Sequence, residues 1–297
     1  MIIGIDKGSA YTKTSKDVII KSTVRDLSED DINLNDSLFI EMDGEEHFVG
    51  GEGSFATDLK KAEHKSTRIL TYTAIAKSFE ETLINTDLVL GLPIGHYSRN
   101  KDKMKELFNG KSATISINGN QKVIKIMNVE VFPECAAAKF TQNIDSGLFI
   151  DIGGLSVDNA LFKNGKLEKH STFTMGTMKL LSKIADYLNA EHDLSLTEWG
   201  AEEILKDGLT IDGEVIDIKS GTEEVIRDHV KKILERIKLQ YDTRMIKNII
   251  FTGGGSLMCF DFFKKYIPQA TRMENTQFSN AKGFELIGRK LFGGNDA

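Results

Sequence analysis

Cysteine, long apolar runs and secretion signals are scarce or absent in this chain of 297 residues. Its two cysteines, Cys135 and Cys259, belong to no CxxC or Cys/His cluster, so we expect two buried free thiols rather than a disulfide or a metal centre. No stretch reaches the ~20 apolar residues of a membrane span. The first four residues lead into strand-like sequence without the basic segment of a signal peptide. These absences predict a soluble, cytoplasmic protein with no membrane partner.

The chain has no excess of basic charge. Asp and Glu outnumber Lys and Arg 44 to 38, which gives a formal net charge of -6. A protein that binds phosphate backbones over a broad face needs clustered Lys and Arg, so we expect no direct binding of nucleic acid. The six histidines fall at no metal-ligand spacing such as HExxH, and we assign them no chemistry.

Proline-rich and glycine-rich linkers are missing as well. Only three prolines occur, and a chain of this length can hold two domains with separate cores. We therefore expect two closely packed domains, with the chain passing between them through ordinary helices and strands.

The chain does contain an internal repeat. An apolar run at residues 2–5 is typical of a buried strand, and strand-like runs follow at 11–16 and 18–24. Three strands in the same order return between residues 148 and 173, where Asn164-Gly165 is a strong hairpin signal. An internal structural duplication is the simplest explanation.

Helical and strand-like patterns alternate after each triplet of strands. We predict helices at 71–84, 98–108, 177–188, 221–245 and 281–291, strands at 87–90 and 247–251, and hairpins around Asp43-Gly44 and Asn118-Gly119. This alternation predicts an α/β protein with two sheets and a cleft between them.

An Asp-x-Gly corner ends the first strand of each triplet. The two corners read Asp6-Lys7-Gly8-Ser9 and Asp151-Ile152-Gly153-Gly154-Leu155-Ser156, and a third glycine-rich strand end reads Gly253-Gly254-Gly255. One such corner is often a plain β-turn. Two of them, at the carboxyl ends of strands where ligands bind in α/β sheets, favour a pair of opposed anion-binding turns.

The carboxylates of these corners need a cation if the ligand is a phosphate. Asp6 and Asp151 would repel phosphate, whereas Mg²⁺ retains several waters that carboxylates can hold. Ser9, Ser156 and Lys13 can add a hydroxyl or a positive charge. The pattern predicts a nucleoside triphosphate with Mg²⁺ clamped between two lobes.

Glu134 follows Pro133 just before the second corner, in a segment that we predict to be a helix crossing between the lobes. Glu134 either interacts only with the dipole of that helix or faces the γ-phosphate and activates the attacking water. Asp158 either shares this task or makes local hydrogen bonds within its strand.

The order of IGIDKGSAYTK, VFPECAAAKF, FIDIGGLSVDNALF and IIFTGGGSLMC resembles the phosphate-1, connect-1, phosphate-2 and adenosine motifs of the actin, Hsp70 and sugar-kinase superfamily. LGLPIGHYSRNKDKMKELFNGK, the pair Pro133-Glu134 and the ending QFSNAKGFELIGRKLF are similar to plasmid-segregating bacterial actins of the ParM type. The resemblance implies an actin-like fold with two duplicated ribonuclease-H-like lobes around a nucleotide cleft. Lobe I would comprise residues 1–146 plus 277–297, and lobe II residues 147–276.

The resemblance also implies a function. It describes an ATPase, with GTP as a second possible nucleotide, that polymerises into filaments and disassembles after hydrolysis. Such a protein moves plasmid copies apart through a DNA-binding adaptor, which is consistent with the acidic charge of this chain.

Site residues carry over by position in the motifs. The resemblance implies Mg²⁺ and its waters at Asp6 and Asp151, water activation by Glu134, and nucleotide contacts at Gly8, Ser9, Lys13, Gly153, Gly154, Gly253, Gly254 and Gly255. From the residues themselves we add Asp151 and Asp158 as further catalytic candidates and Ser156 as a further nucleotide contact. Leu155 departs from the pattern, because related chains often have a small polar residue there.

Other functions remain open at this point. A small-molecule, sugar-type kinase would use an acidic residue near Glu134 on a substrate hydroxyl, but such kinases often have an Asn-Asp pair where this chain has Pro133-Glu134. A non-hydrolysing scaffold would not need both Asp corners and Glu134. Chaperones of the superfamily have a long substrate-binding region after the nucleotide domain, and none follows here. Candidate filament contacts are the exposed stretch 44–65 and the Lys-rich stretch 98–111, although charged loops are usually only solvated.

Overall fold

The structure, a computed structural model, describes residues 1–27, 37–51 and 53–293. Its first half contains β1 (Ile2–Lys7), β2 (Tyr11–Thr14), β3 (Ile19–Lys21), β4 (Val24–Asp26), β5 (Leu38–Met42), β6 (Glu45–Val49), α1 (Lys65–Ser78), β7 (Leu83–Leu92), α2 (Tyr97–Glu106), β8 (Ser112–Ile117) and β9 (Asn120–Pro133). Its second half contains β10 (Gly147–Ile152), β11 (Val157–Lys163), β12 (Lys166–Phe173), α3 (Thr177–His192), α4 (Glu198–Asp207), β13 (Leu209–Ile211), β14 (Glu214–Ile216), α5 (Lys219–Lys238), β15 (Ile249–Thr252), α6 (Gly255–Tyr266), β16 (Ala270–Arg272) and α7 (Ser279–Phe292). Two short 3-10 helices cover Lys61–Glu63 and Ala138–Thr141.

The two halves of the chain build sheets of the same topology. In the first sheet β1 is antiparallel to β2, β2 is antiparallel to β3, and β1 is parallel to β7, which is parallel to β9. In the second sheet β10, β11 and β12 repeat the antiparallel triplet, and β10, β15 and β16 repeat the parallel side. The predicted duplication is therefore confirmed, with β8, β5, β6 and β4 added to the far edge of the first sheet.

Each sheet has its own hydrophobic core. Ile5, Leu70 and Leu90 lie in the core of the first sheet, and Ile150 and Ile233 lie in the core of the second. The central strands are buried on both faces, as the apolar runs predict. A smaller cluster around Phe149 and Cys135 lies between the connecting segment and the second sheet. Both cysteines are free and buried, as predicted.

The last described helix returns to the first strand. α7 packs against β1, where a Cβ on Gly4 would lie 2.1 Å from the carbonyl oxygen of Ala281. This contact brings the start of α7 to the end of β1 where the first Asp corner lies. The division of the chain at residues 146 and 277 stays a prediction, and residues 294–297 of the predicted lobe I lie outside the described residues.

Three predicted helices are wrong in part or in full. The helix predicted at 71–84 is α1, which ends at Ser78, and residues from Leu83 onward form the buried strand β7. The long helix predicted at 221–245 is α5, which ends at Lys238. Tyr241 lies in the turn after α5 but still packs into the core with the apolar side chains of that helix.

The connecting helix predicted at Pro133 does not form. Pro133 is the last residue of β9, and Cys135 has a left-handed φ of 65°, so the backbone turns there instead of entering a helix. Only the short 3-10 helix Ala138–Thr141 follows. The sequence prediction also missed α4 altogether.

The segment 44–65 is less exposed than predicted. Phe48, Val49, Lys61 and Ala62 are buried within it, and residue 52 lies outside the described residues. Among the described helices, none combines the length and apolar character needed to cross a lipid bilayer.

Candidate functional site

The two Asp corners face each other across a narrow pocket. A Cβ on Gly154 in the second corner would lie 2.8 Å from the backbone nitrogen of Ala10, which follows the first corner. The pocket is lined by Asp6, Gly8, Ser9, Ala10, Lys13, Leu59, Lys61, Glu134, Asp151, Gly153, Gly154, Leu155, Ser156, Asp158, Gly253, Gly254 and Asn280. Both halves of the duplication therefore contribute their strand ends to one site.

Asn280, in the first turn of α7, joins the two corners. Its side-chain nitrogen Nδ2 donates to Asp151 Oδ2 at 2.6 Å and lies 3.5 Å from Asp6 Oδ2. Its Oδ1 accepts a hydrogen bond from the backbone N–H of Cys135 at 3.0 Å. One buried amide thus fixes both corner carboxylates and the turn that follows Glu134.

Carboxylates are crowded in this pocket. Burial, together with the charges of Asp6 and Asp158, raises the pKa of Asp151 to about 7, although the amide of Asn280 opposes the shift. Burial also raises the pKa of Asp158. Groups with such environments hold protons readily and gain from a nearby cation.

Two lysines of the first sheet lie at the pocket, Lys13 in its lining and Lys7 behind it. Lys13 Nζ lies 3.9 Å from Asp6 Oδ2 across the β1–β2 pair. Lys7, on the same strand as Asp6, is 1% exposed, and burial and the charge of Lys61 lower its pKa to about 8. The first corner therefore brings positive charge to the phosphate side of the pocket as well as a carboxylate.

Glu134 forms a buried ion pair with Lys61. Its backbone N–H bonds to the carbonyl of Leu92 at 2.8 Å, which holds the residue at the end of the parallel pair β7 and β9. Burial and the charges of Asp6 and Asp158 raise the pKa of Glu134, which the Lys61 ammonium opposes. Burial lowers the pKa of Lys61, but Glu134 and Asp6 outweigh that effect and raise it overall.

Asp158 has a full set of local partners. It accepts hydrogen bonds from the hydroxyl of Ser156 at 2.7 Å, from the backbone N–H of Ile94 at 3.1 Å and from Thr172 Oγ1. These bonds fit the local-bonding alternative for Asp158, although its carboxylate also lines the pocket. The same bonds commit the Ser156 hydroxyl to Asp158 rather than to a ligand.

The glycines set the backbone of both loops. Gly153 N–H bonds to the carbonyl of Ser156 at 2.9 Å and closes the second corner. Gly253 has a φ of 79°, and a Cβ there would lie 2.1 Å from Asp151 Oδ1. A residue with a side chain at position 253 would therefore displace the Asp151 carboxylate.

A second cavity, of about 490 Å³, adjoins the pocket at the two glycine-rich loops. Ile152, Thr177, Met178, Leu181, Trp199, Leu205, Leu257, Met258 and Gln277 are among its lining residues, together with Gly153, Gly154, Gly254 and Gly255. An apolar cavity beside a small charged pocket is the arrangement that a nucleoside with its phosphate chain requires.

Contacts between the first sheet and helix α4 lie beside this cavity. Tyr11 OH in β2 donates to Glu202 Oε2 in α4 at 2.6 Å, and the Tyr11 ring meets the Trp199 ring edge-on with centroids 5.7 Å apart. Lys21 pairs with Glu203 at 3.2 Å. β2 and β3 therefore bind to α4 and join the two halves of the chain beside the cavity.

Two protein-family models match consecutive parts of the chain and together span most of it. Residues 4–136 match the actin-like proteins N-terminal domain, and residues 149–265 match the C-terminal domain of the archaeal actin homologue, MreB-like. The chain belongs to the actin-like proteins. No curated protein sequence matches it.

Solved structures of actin homologues share the fold of this actin-like protein. The archaeal actin homologue Ta0583 in complex with ADP superposes with a TM-score of 0.84 at 19% identity, covering 98% of this chain and 99% of that one. A 15-stranded ParM filament from Clostridium botulinum gives a TM-score of 0.81 at 19% identity, covering 97% and 99%. The apo psk41 ParM protein gives 0.70 at 20% identity, covering 98% and 97%. The expected actin-like fold with two lobes is confirmed.

All the site residues predicted from the sequence lie in the two adjoining cavities. Twelve of them line the charged pocket, and Gly255 lines only the second cavity. The roles assigned to them stay predictions.

The prediction missed Asn280, Lys61 and the residues that join β2 and β3 to α4. Asn280 lies within the terminal motif QFSNAKGFELIGRKLF, so the motif pointed to the segment but not to the side chain. Lys61 lies in a charged stretch typical of a solvated loop, which gives no local signal for a buried cation.

No three Asp, Glu, His or Cys side chains in the described ranges are placed to hold a metal ion directly. The carboxylates of Asp6 and Asp151 nevertheless reach the same amide nitrogen. Two converging carboxylates without a complete ligand set fit Mg²⁺ bound mainly by phosphates and water, because Mg²⁺ dehydrates reluctantly.

Proposed function

We propose that this actin-like protein is a nucleoside-triphosphatase whose nucleotide state controls its assembly into filaments. The observation that supports this best is the convergence of Asp6 and Asp151 on Asn280, with Glu134 in the same pocket. The phosphate chain would lie between the opposed corners, and the nucleoside would occupy the adjoining cavity of about 490 Å³.

The site residues divide into two groups in this proposal. Asp6 and Asp151 would hold the waters of Mg²⁺, which supplies neutralisation of the phosphate charge when bound. The loops at Gly8, Ser9, Gly153 and Gly154 would border the β- and γ-phosphates, and Gly253 to Gly255 would border the α-phosphate and nucleoside.

The reaction would be hydrolysis of the terminal phosphoanhydride. The oxygen of a water attacks the γ-phosphorus, and the bond from that phosphorus to the bridging oxygen breaks. The bridging oxygen leaves with the electron pair as the diphosphate, and Glu134 accepts the proton of the water. Burial raises the pKa of Glu134 and so favours proton acceptance, whereas the ammonium of its partner Lys61 opposes it.

The proposals of filament assembly and plasmid segregation are based on the similarity to other actin homologues. One structural neighbour is a ParM filament, and this chain covers 99% of that chain. We propose that the protein works in the cytoplasm, associates with further copies of itself, and moves plasmid DNA through a DNA-binding adaptor. The proposed lobes are residues 1–146 plus 277–297 and residues 147–276.

Sedimentation and light scattering with ATP, GTP and their non-hydrolysable analogues test this function, with released phosphate measured in parallel. We expect pelletable polymer with a triphosphate and loss of polymer as diphosphate accumulates. Absence of polymer at high protein concentration, together with phosphate transfer to a sugar-like acceptor, would establish the small-molecule kinase instead.

A further inference from the structure

Lys61 is a buried cation that the connection between β6 and α1 brings into the charged pocket. Its side chain is 4% exposed and pairs with Glu134. Thr67 Oγ1 donates to the backbone carbonyl of Lys61 at 2.5 Å, and Thr67 N–H bonds to the carbonyl of His64 at 3.0 Å. The first turn of α1 therefore fixes the backbone of Lys61, while its long side chain can reach different partners.

The surroundings of Lys61 contain several other charged groups. Glu134, Asp6 and Asp158 attract its ammonium, and Lys7 repels it. A buried charge needs a partner because an unpaired ion loses its hydration without compensation. Among the described residues, Lys61 forms a direct ion pair only with Glu134.

This pairing conflicts with the role proposed for Glu134. A carboxylate whose oxygen accepts a hydrogen bond from an ammonium is a poor acceptor for the proton of a water, because the cation stabilises its charged form. Water activation by Glu134 therefore requires that Lys61 turn to another anion. The γ-phosphate would be an anion of sufficient charge in the same pocket, which both Lys61 and Glu134 line.

We propose that Lys61 is a γ-phosphate sensor, paired with Glu134 in the diphosphate state and bonded to γ-phosphate oxygens in the triphosphate state. This inference rests on the proposed nucleotide site. The exchange leaves Glu134 free to accept a hydrogen bond from water only when a γ-phosphate is bound. It also links the γ-phosphate to the start of α1, so that the first lobe differs between the two nucleotide states.

The sensor role predicts a measurable difference between the affinities for triphosphate and for diphosphate. A group that contacts only the γ-phosphate stabilises the triphosphate complex and not the diphosphate complex, and a nucleotide shifts a conformational equilibrium only through such a difference. If Lys61 only stabilised the fold, its replacement would weaken the triphosphate and diphosphate complexes equally.

The test compares Lys61→Met with the exposed neighbour Lys60→Met as a control. Affinities for Mg²⁺ with a non-hydrolysable ATP analogue and with ADP are measured on unpolymerised protein, by the fluorescence of the single tryptophan, Trp199, which lines the nucleoside cavity. We expect Lys61→Met to weaken the analogue ~10–100-fold, which is the contribution of a charge-assisted hydrogen bond, and ADP less than ~3-fold. Lys60→Met should change neither affinity.

Loss of Lys61 leaves Glu134 without its cation, so the single variant can fail to fold. The double variant Lys61→Met with Glu134→Gln removes both charges and provides the same comparison in a neutral pair. Equal weakening of the analogue and ADP, or an unchanged preference for the analogue, would overturn the sensor role in either variant. A wild-type protein that binds neither nucleotide would instead overturn the proposed function itself.

Discussion

The side-chain amide of Asn280 lies 2.6 Å from the Asp151 carboxylate and also reaches Asp6 and the backbone of Cys135. A helix from the far end of the chain therefore positions the two corners relative to each other. Asn280 is 4% exposed, so its bonds lie in a low-dielectric environment where an unsatisfied partner is costly.

Replacing Asn280 by alanine removes three contacts at once. We expect the free energy of unfolding to fall by about 1–3 kcal/mol, because the Cys135 N–H loses its acceptor and Asp151 loses its donor in a buried site. Urea unfolding of the ligand-free protein measures this change. Asn128→Ala is the matched control, since Asn128 makes a similar bond to Asp87 at 2.7 Å on the exposed surface. Equal stability of the two variants would show that the Asn280 contacts are unimportant.

Glu134→Ala and Glu134→Gln test water activation. Loss of a general base typically costs 10²–10⁴-fold in rate, so we expect slow phosphate release from polymers that still assemble with triphosphate and therefore persist. Phosphate release and sedimentation are followed in the same sample. Glu130→Gln serves as the control, because Glu130 lies on β9, the strand that ends just before Glu134, is partly exposed, and pairs with Lys105 at 3.0 Å. Normal turnover by the Glu134 variants would exclude this role.

The contribution of Asp151 to the stability of the ligand-free protein should fall as the pH rises from about 4 to 7. The pKa of Asp151 rises from its ordinary value of 3.8 to about 7 on folding, so the folded state binds a proton that the unfolded state has already released in this interval. This contribution is therefore lost with rising pH, which is opposite to the usual behaviour of a paired carboxylate.

Asp151→Asn should remove this contribution, so that its melting temperature rises relative to that of the wild type as the pH increases to 8, by roughly 2–4 °C for each kcal/mol of repulsion removed. Thermal unfolding between pH 4 and 8 measures the effect. Asp145→Asn, on the surface with a side chain that is 82% exposed, should leave the pH profile as in the wild type. A wild-type profile for Asp151→Asn would contradict the raised pKa.

Gly253→Ala separates backbone strain from the close contacts of a Cβ with Asp151 Oδ1 at 2.1 Å and with the carbonyl oxygen of Ile152 at 2.5 Å. Gly213 has a φ of 86°, close to the 79° of Gly253, but a Cβ at Gly213 meets nothing within 4 Å. Gly213→Ala should therefore cost only the ~1–2 kcal/mol of a left-handed alanine. Gly253→Ala should cost more and should also weaken nucleotide binding at least 10-fold. Chemical unfolding and nucleotide titration of both variants provide the measurement, and equal effects would show that the Asp151 contact is unimportant.

Local sequence patterns were sufficient to predict much of the fold and most residues of the candidate site. The duplicated strand triplets and the Asp and Gly corners depend on apolar spacing and turn chemistry within a few residues. Those features placed the predicted site residues in adjoining cavities. The helix predicted after Pro133 failed because Cys135 adopts a left-handed backbone, which neither its residue type nor its neighbours indicate.

Long-range contacts were not predictable in the same way. Lys61 looks like a solvated loop residue until the fold surrounds it with carboxylates. Trp199 and Tyr11 meet only because α4 of the second half lies against β2 of the first. Each of these roles depends on which segments the fold brings together, and a single sequence contains no local signal for that.

The return of α7 to β1 has a consequence for how the protein is made in the cell. Asp6 and Asn280 are 274 residues apart, so at 5–20 residues per second the ribosome takes roughly 14–55 s to synthesise the second after the first. During that time the first sheet lacks the helix that packs on β1, and the two Asp corners lack the amide that joins them. A nascent chain therefore cannot bring both corners onto Asn280 before α7 has left the ribosome, and the proposed nucleotide-dependent assembly would begin only after that point.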